Sequence, residues 1–503
     1  MRVFLAFLAG CVLTLPPLAA RPFTAVVYNV ENLFDVDGVA FYDEYQPARY
    51  GPAHLATKLD NIARVLTQFA AGEGPEVILF QEIELDQTPE TAVANYVEFL
   101  RRYEGRPFDQ LLAQAPLPAE LAGLPAEAWL AKALADRGLG PYTVVAASDG
   151  VGCHEDGRER TIKCVVFTRF PVRAVHNHPT PVARNILEVV LEIDGHALHV
   201  FNNHWKSGAG DPETERTRLE NARTLRTRLD EILRDDPRAD IVIGGDFNSH
   251  HDQRQRYAKT MKLTGINDTL RSQGNELALR GPQRDLYNLW YELPAEERGS
   301  DTYRGEWGTL MQLIVSRGLY DFRGVQYVDN SFAVARFSGL NVDSAGVPVR
   351  WKGDGPTGAG FSDHLPIYAR FTTVNEAQPE RWLALNRASA PNDNAPAVVN
   401  KVSYAAIDLA GTALTLDQLP AGAVLRDGSW SGKLFRVAGE ASVERGTTVH
   451  FAGESYEVYS PHKAVRDQLA GQARATGRLE FYGELGTYRG RWQFVVKDAS
   501  WLK

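Results

Sequence analysis

The sequence predicts an α/β domain followed by a small β-barrel. Three observations lead to this prediction: short β-branched runs that end in polar residues, amphipathic segments between those runs, and a change of pattern after Phe371. A chain of 503 residues is also too long for one compact core, because domains usually contain about 100–200 residues. We therefore expect two or three domains.

The predicted strands of the first domain each end in residues able to bind a metal ion or a phosphate. These strands are FTAVVYNVEN (23–32) with Asn29, EVILFQEIE (76–84) with Gln81 and Glu82, ALHVFNNHWKS (197–207) with His204, and ADIVIGGDFNS (239–249) with Asp246 and Asn248. In open α/β sheets, ligands bind beyond the strand ends. The pattern therefore predicts a ligand site at one edge of the sheet.

A hairpin and several helices complete the first domain. Residues 186–201 alternate apolar and polar side chains up to Asp194-Gly195, which predicts a hairpin with a type I′ turn. The segment 54–70 and the segment that begins at Asp211-Pro212 carry apolar residues at helical spacing, so both are expected to cover a sheet. The Ala-, Leu- and Pro-rich segment 105–138 indicates a helical insertion whose role the sequence does not show.

A linker rich in Pro, Asn and Ala at 375–397 separates residues 21–374 from a second domain at 398–503. Strand-like runs lie near 402–408, 423–426, 433–438, 448–458, 478–484 and 491–496, with a helical stretch near 462–472. Five or six strands with one helix suggest a Greek-key barrel of the OB type. The closing YRGRWQFVV sets aromatics beside arginines, as in single-strand binders. Core positions for Trp492 and Phe494 are the alternative.

Residues 1–20, MRVFLAFLAGCVLTLPPLAA, have one positive charge, an apolar stretch and a small residue at Ala20. This pattern predicts a signal peptide and a secreted or periplasmic protein. LAGC at 8–11 also matches a lipoprotein cleavage box, so a lipid anchor at Cys11 is the alternative. No later segment has the roughly 18 consecutive apolar residues of a membrane span. We expect a monomer without a transmembrane span.

Charge and cysteine content narrow the function further. The net charge of −9 argues against a highly basic nucleic-acid binder. After cleavage at Ala20 the cysteines would be Cys153 and Cys164, an even pair that predicts a disulfide in an oxidising compartment, with two buried free thiols as the alternative. Between them lies HEDGRER, which could offer Arg158 and Arg160 to a phosphate or form a solvated surface hairpin.

The polar residues follow a definite order along the chain: Asn29, Glu82, His204, Asp246-x-Asn248 and Asp363-His364. This order and the words YNVENLF, LFQEIE, NNHWKSG, GGDFNS and FSDHLPI resemble the endonuclease/exonuclease/phosphatase superfamily, which includes DNase I. The similarity covers residues 23–372, and the wording is closest to exported bacterial nuclease-like members. It implies a four-layer α/β sandwich, in which two packed β-sheets are flanked by helices.

The resemblance also implies a role for each matching residue. Asn29 and Glu82 would hold Mg²⁺ or Mn²⁺, with Asp363 close to the ion. Asp246 would orient or deprotonate the attacking water, and Asn248 would donate to phosphate oxygens. His204 would hold a non-bridging oxygen, and His364 would act as a charged phosphate ligand or proton carrier. Asn203 and Lys206, in the NNHWKSG word, are candidates for substrate binding.

One position departs from the family pattern. Family members carry an Asp that pairs with the imidazole, and the aligned residue in TYRGEWGTLMQLIVS (302–316) is Met311. A thioether cannot stabilise an imidazolium, so we expect a lowered pKa and a freer ring for His364. Either another acid replaces the missing one, with Asp301, Glu306 and Asp354 nearest in sequence, or the enzyme is slow, or the domain binds phosphodiesters without cleaving them. The intact motif residues favour the slow enzyme.

The sequence thus predicts an exported, metal-dependent phosphodiesterase, a nuclease that hydrolyses extracellular DNA or RNA. A lipid phosphodiesterase or phosphatase on the same fold is the first alternative. A non-catalytic protein that binds phosphodiesters is the second.

Overall fold

The computed structural model describes residues 22–503 apart from 89–92, 151, 154, 156, 276–278, 280–283, 375–396, 428–429 and 489. The predicted signal peptide, Cys11 and nearly all of the predicted linker lie outside the described residues. None of the helices in the described ranges combines the length and the apolarity that crossing a membrane requires.

The part of the chain before residue 375 contains two mixed β-sheets, one separate hairpin and their covering helices. Its strands are β1 (Phe23–Leu33), β2 (Val77–Glu84), β3 (Thr143–Ala146), β4 (Ile162–Thr168), β5 (Val172–His178), β6 (Ile186–Ile193), β7 (His196–His204), β8 (Asp240–Asp246), β9 (Ser272–Gln273), β10 (Leu286–Asn288), β11 (Asp301–Tyr303), β12 (Glu306–Gly308), β13 (Met311–Val315), β14 (Gly324–Tyr327), β15 (Ala333–Val334) and β16 (Ile367–Val374). Its helices are α1 (Pro52–Leu66), α2 (Tyr96–Arg102), α3 (Phe108–Leu112), α4 (Ala119–Ala122), α5 (Ala126–Asp136), α6 (Pro212–Asp235) and α7 (Gln253–Arg256).

The two sheets pack face to face between helices, as the resemblance implied. The first sheet has the order β14-β16-β1-β2-β4-β3, and the second has the order β5-β6-β7-β8-β13-β10-β9. Neighbouring residues of one strand face opposite layers: Val26 packs with α1 and α5, and Val27 packs with the second sheet. In the same way, Val242 faces the first sheet and Ile243 faces α6. This arrangement is a four-layer α/β sandwich.

Local sequence signals account for the main elements of the sandwich. The turn between β6 and β7 has positive φ at both Asp194 (49°) and Gly195 (87°), which a type I′ turn requires. The Asp211 side chain caps α6 by accepting from the Glu213 N–H. The predicted insertion 105–138 contains α3, α4 and α5, and its buried side chains join the core beneath α1. The insertion therefore supplies part of the outer helical layer.

A closed five-stranded barrel forms the C-terminal part of the chain. Its elements are α8 (Leu409–Thr412), β17 (Leu434–Val443), β18 (Thr447–Phe451), β19 (Glu454–Tyr459), α9 (Lys463–Thr476), β20 (Arg478–Tyr488) and β21 (Arg491–Val495). The barrel has the strand order β17-β18-β19-β21-β20, and α9 lies between β19 and β20 in sequence. This arrangement confirms the predicted OB-like barrel. Phe494 is fully buried and Trp492 packs partly buried against the core, so both serve the barrel interior.

Two parts of the sequence prediction are wrong. The runs 402–408 and 423–426 are turns and short helical segments, because each lacks a strand neighbour in the barrel. Cys153 and Cys164 do not form a disulfide: Cys164 is buried between the two sheets, whereas Cys153 lies in an exposed loop. Strand β4 fixes the direction of the Cys164 side chain toward the core, so spacing along the chain did not bring the two sulfurs together.

Buried polar contacts join the barrel to the sandwich. The Lys497 ammonium pairs with Asp343 of the sandwich and with Glu484 of the barrel. The Tyr404 hydroxyl also donates to Asp343, at 3.1 Å. Residues 400–402 extend the β11–β12 hairpin, since the Trp307 N–H donates to the Asn400 carbonyl at 2.8 Å. The barrel is therefore anchored beside the strands that lead to the site.

Candidate active site

Two backbone irregularities bring the first polar residues of the site together. The pairing of β1 with β2 changes register after Asn29, and that of β2 with β4 changes between Phe80 and Ile83. Glu31 and Glu82 have positive φ values of 51° and 63°. Bulges of this kind redirect side chains at strand ends. As a result, the Asn29 amide donates to the Glu82 carboxylate at 2.9 Å.

The second sheet contributes a histidine and an aspartate at the same edge. His204 and Asp246 are direct neighbours in the parallel pair β7–β8. The His204 Nε2 atom lies 3.8 Å from Glu82 Oε1 and 3.8 Å from Asp246 Oδ2. The Asn29 amide also donates to Asp246 Oδ2, at 3.1 Å, and so links the two sheets. The predicted convergence at strand ends is therefore present, and it draws on both sheets.

The turn after β8 is built around Asp246. The Asn248 N–H donates to Asp246 Oδ1 at 2.9 Å, while the Asn248 side chain donates to the Trp205 carbonyl at 3.1 Å. Gly245 has φ 139°, and an added Cβ would lie 2.0 Å from the Asn203 carbonyl oxygen. Only glycine allows β7 and β8 to approach this closely. The GGD sequence thus places the Asp246 carboxylate against its neighbours.

The Ser362-Asp363-His364 segment attaches to the end of β1. The Ser362 hydroxyl donates to the Asn29 carbonyl at 2.7 Å and accepts from the His364 N–H at 3.1 Å. His364 Nε2 then lies 3.7 Å from Asp246 Oδ2 and 3.9 Å from Asp363 Oδ1. A loop anchored on the end of β1 therefore brings the His364 ring to the Asp246 carboxylate.

The two histidines near Asp246 have opposite charge preferences. Burial, the nearby Arg184 and His364 lower the pKa of His204 well below its usual value. Burial also opposes charge on His364, but Asp363, Asp246, Asp301 and Glu82 outweigh it and raise the pKa of His364 to about 9. The lowered pKa predicted from Met311 is therefore wrong, because the adjacent Asp363 and three acids from other segments lie near the ring. These shifts favour the charged form of His364 and the neutral form of His204.

The acids of the site are crowded and poorly solvated. Burial raises the pKa of both Glu82 and Asp246. Burial and the nearby Asp363 also raise the pKa of Glu31, to about 7. Each carboxylate would gain from a cation among them. The arrangement thus opposes full ionisation in the absence of a cation.

A divalent ion fits the residues at this edge. Glu82, His204 and Asp246 each place a ligand atom within 4.8 Å of the others. The buried Nδ1 atom of His204 has no hydrogen-bond partner among the described residues. The two carboxylates supply the hard oxygen ligands that Mg²⁺ and Mn²⁺ prefer. Of the predicted ligands, Glu82 lies in this group.

Asn29 and Asp363 relate to the group differently. Asn29 directs its amide nitrogen toward the acids, while its oxygen accepts from the Glu31 N–H at 2.9 Å. Its amide nitrogen therefore orients the carboxylates, and its oxygen is directed to the turn at Glu31. Asp363 is partly exposed at the rim, where its Oδ2 atom lies 3.5 Å from the Arg350 guanidinium. Its distance of 3.9 Å from His364 keeps it next to the site.

The predicted substrate-binding residues are not all at the site. Asn203 is fully buried, accepts from the Trp205 indole at 3.1 Å and donates to the Gly244 carbonyl, which leaves it a structural role. Arg160 donates to the Asp149 carbonyl and so holds its own loop. Arg158 is exposed in that loop, and Lys206 is partly exposed after β7.

Two residues of the site were missed at the level of sequence. Glu31 is buried, and its carboxylate accepts from the Arg350 side chain and from the Trp351 N–H. It belongs to the YNVENLF word, so the polar end of β1 contained the signal. Arg184 influences the pKa of both Glu82 and His204 from outside any motif. No local pattern distinguishes this arginine from other surface arginines.

Comparisons with known proteins give one family match and several similar solved structures. Residues 24–104 and 161–373 match the sequence profile of the Endonuclease/Exonuclease/phosphatase family. A search of curated proteins finds no match. Similar solved structures each cover 70% of this chain. TDP2 from C. elegans has 13% identity, a TM-score of 0.37 and 75% of its own chain covered. An endonuclease/exonuclease/phosphatase family protein from Bacteroides thetaiotaomicron has 12% identity, a TM-score of 0.38 and 98% of its own chain covered. D. rerio TDP2 complexed with single strand DNA product has 13% identity, a TM-score of 0.36 and 99% of its own chain covered.

Proposed function

Because the chain belongs to the endonuclease/exonuclease/phosphatase family, we propose that it is a Mg²⁺- or Mn²⁺-dependent phosphodiesterase that cleaves nucleic acid. The observation that supports this most strongly is the meeting of Asn29, Glu82, His204, Asp246 and His364 at one edge of two sheets. These five residues come from five separate segments of the chain, so only the fold brings them together.

Asp246 is the group best placed to orient and deprotonate a water molecule. Its Oδ1 atom accepts from the Asn248 N–H and its Oδ2 atom from the Asn29 amide, so the carboxylate is held from both sides. Both hydrogen bonds favour its ionised form. A carboxylate held in this way can accept a proton from water as the water attacks phosphorus.

The different charge preferences of His364 and His204 give the two rings different roles. The charged His364 ring can donate a hydrogen bond to a phosphate oxygen and neutralise part of its charge. The neutral His204 ring can hold a second oxygen through one protonated nitrogen. A divalent cation held by Glu82, His204 and Asp246 would neutralise phosphate charge and stabilise the leaving oxygen.

The nucleic-acid substrate and the export of the protein go beyond the family assignment. The substrate proposal rests on the nuclease-like sequence words and on an OB-like barrel beside the site, since barrels of this type bind oligonucleotides. The export proposal rests on residues 1–20, which lie outside the described residues. Release of choline or phosphate from lipid substrates, without DNA or RNA cleavage, would instead support the lipid enzyme.

The decisive experiment measures cleavage of supercoiled plasmid and of a single-stranded RNA by the purified protein. We expect nicking or cleavage with Mg²⁺, no reaction with chelator, and a rate loss of about 100-fold or more for Asp246→Asn. Asp235→Asn is the matched control, because this aspartate is 80% exposed at the end of α6, which leads into the start of β8, whereas Asp246 lies at the other end of that strand. Intact polymers at high enzyme concentration would overturn the nuclease proposal.

A further inference from the structure

The His364 ring has one nitrogen whose partner is not accounted for. Its Nε2 atom faces Asp246 and Asp363 at 3.7 and 3.9 Å. Its Nδ1 atom is buried and has no hydrogen-bond partner among the described residues. Buried polar atoms of folded proteins nearly always have a partner. A group that can reach Nδ1 is therefore expected close to the ring.

Met311 cannot be that group. Its side chain is fully buried, and its backbone pairs with Asp246 across β8 and β13. The sulfur of methionine is at most a weak acceptor. The Met311 carbonyl is already occupied, since it accepts from the Trp290 indole at 2.7 Å. The strand that carries the imidazole partner in the family resemblance therefore offers no carboxylate here.

Asp301 occupies the position next to the ring from a different strand. Asp301 and His364 form an antiparallel β-bridge, and the Leu365 N–H donates to the Ser300 carbonyl at 2.7 Å. Directly opposed residues of an antiparallel pair project from the same face with Cβ atoms about 4.5–5.5 Å apart. The two side chains are therefore neighbours, and the Asp301 carboxylate is among the acids that raise the pKa of His364.

The surroundings of Asp301 are built for a carboxylate. Its Oδ1 atom accepts from the Leu310 N–H at 3.1 Å and from the Ser300 hydroxyl at 3.3 Å. Its Oδ2 atom lies over Gly308, where an added Cβ would come within 2.0 Å. Gly308 thus leaves the room that the acid occupies. Asp301 is also buried, with 5% of its surface exposed, although an isolated acid prefers water.

The other two acids considered from the sequence, Glu306 and Asp354, are both exposed. The Glu306 side chain is 47% exposed and lies 3.7 Å from the Arg256 guanidinium. Asp354 is exposed in the loop that follows Lys352. The hairpin that carries Asp301 is held from outside by residues 400–402, through the Trp307 N–H and the Val402 N–H. Of the three candidates, only Asp301 is fixed next to His364.

We infer that Asp301 is the positioning residue that replaces the carboxylate missing at Met311 and holds the His364 ring for catalysis. The inference rests on the proposed phosphodiesterase function. It assigns Asp301 no contact with substrate, because the residue acts through the imidazole. It also implies that the enzyme is not impaired by Met311, in contrast to the prediction from sequence.

The test moves the carboxylate from one strand to the other. The variants are Asp301→Asn, Met311→Asp, their combination, and Glu306→Gln as the matched control on the same hairpin. For each, kcat and KM for Mg²⁺-dependent cleavage are measured together with the ¹⁵N spectrum of labelled histidines, in which His364 is identified by a His364→Gln variant. Thermal unfolding reports whether each variant is folded.

We expect Asp301→Asn to lower kcat about 100-fold with KM changed less than about threefold, and to shift the His364 signals. Adding Met311→Asp should restore kcat at least about tenfold and return those signals toward their original position. A purely structural role for Asp301 would not be rescued from a different strand. Unchanged kcat and His364 signals in Asp301→Asn, or no recovery in the double variant, overturns the inference.

The spectroscopic measurement separates this inference from the proposed function. If the wild-type protein cleaves no phosphodiester, the proposed function fails, yet the His364 signals still show whether Asp301 holds the ring. If the wild-type protein is active and the signals do not respond to Asp301→Asn, the positioning role fails and the phosphodiesterase remains.

Discussion

A divalent cation should stabilise the folded protein by neutralising the acids around Asp246. Burial raises the pKa of Glu82 and of Asp246, so their ionised forms oppose folding without a cation. A ligand at 100 times its dissociation constant stabilises the folded state by about 2.7 kcal/mol. With about 2.1 cal/mol/K of unfolding entropy per residue over roughly 350 residues, this corresponds to a rise of about 4 °C in the unfolding midpoint.

Glu82→Gln separates the metal effect from general salt effects. The amide still accepts from the Asn29 side chain, so the variant keeps the 2.9 Å contact while it loses the charge. Because the Glu82 pKa is raised in the folded state, the ionised carboxylate destabilises the fold at neutral pH. Without cation, we expect the variant to unfold at the wild-type temperature or slightly above it. With cation, its midpoint should hardly move.

The assay is differential scanning fluorimetry with Mg²⁺, Mn²⁺ and chelator. The shift should also grow as pH rises from 5 to 8, since protons compete with the cation for groups whose pKa is raised. Asp235→Asn is the control, since its exposed carboxylate should leave the shift unchanged. An equal shift in Glu82→Gln, or no shift with either cation in wild-type protein, would refute a metal site at Glu82.

Three further predictions concern stability and thiol chemistry. Although burial alone would raise it, hydrogen bonds from His178, His199 and Arg228 hold the pKa of Glu188 far below its usual range, so its stabilisation is present above about pH 4 and is lost as pH falls further. Glu188→Gln should cost about 2–3 kcal/mol in urea unfolding at pH 7 and less at pH 3. An equal cost at both pH values would contradict this account. Gly245→Ala should leave little folded protein by circular dichroism, because its Cβ would lie 2.0 Å from a carbonyl oxygen; a native spectrum would contradict the close approach. A thiol reagent should label Cys153 in the native protein and Cys164 only after unfolding, as site-resolved mass spectrometry can show, whereas protection of both until reduction would indicate a disulfide.

Strand periodicity and strand ends predicted much of the sandwich. The runs that end at Asn29, Glu82, His204 and Asp246 are strands β1, β2, β7 and β8, and their polar ends meet. Such predictions succeed because the alternation of side chains along a strand and the polarity of its end are local properties. The barrel was predicted for the same reason, although two of its expected strands are turns.

Predictions that needed a partner from another segment were less reliable. Spacing alone suggested a bond between Cys153 and Cys164, but β4 turns Cys164 into the core. Alignment at Met311 suggested a lowered pKa for His364, but Asp363, Asp246, Asp301 and Glu82 raise its pKa to about 9. Sequence proximity placed Asp301, Glu306 and Asp354 on an equal footing, while the β-bridge selects Asp301.

The sequence by itself determined the main strands and helices of the first domain, the barrel and the kinds of side chain at the candidate site, whereas the four layers were implied by the family resemblance. These elements and side chains follow from hydrophobic periodicity, turn residues and strand ends, which act over a few neighbouring residues. Only the tertiary structure decided which side chains share an environment: the charge of His364, the burial of Asn203 and the place of Asp301 beside the ring. Electrostatic interactions depend on distance in space, and besides the adjacent Asp363 the acids that raise the His364 pKa are Asp246, Asp301 and Glu82, which are distant in the chain.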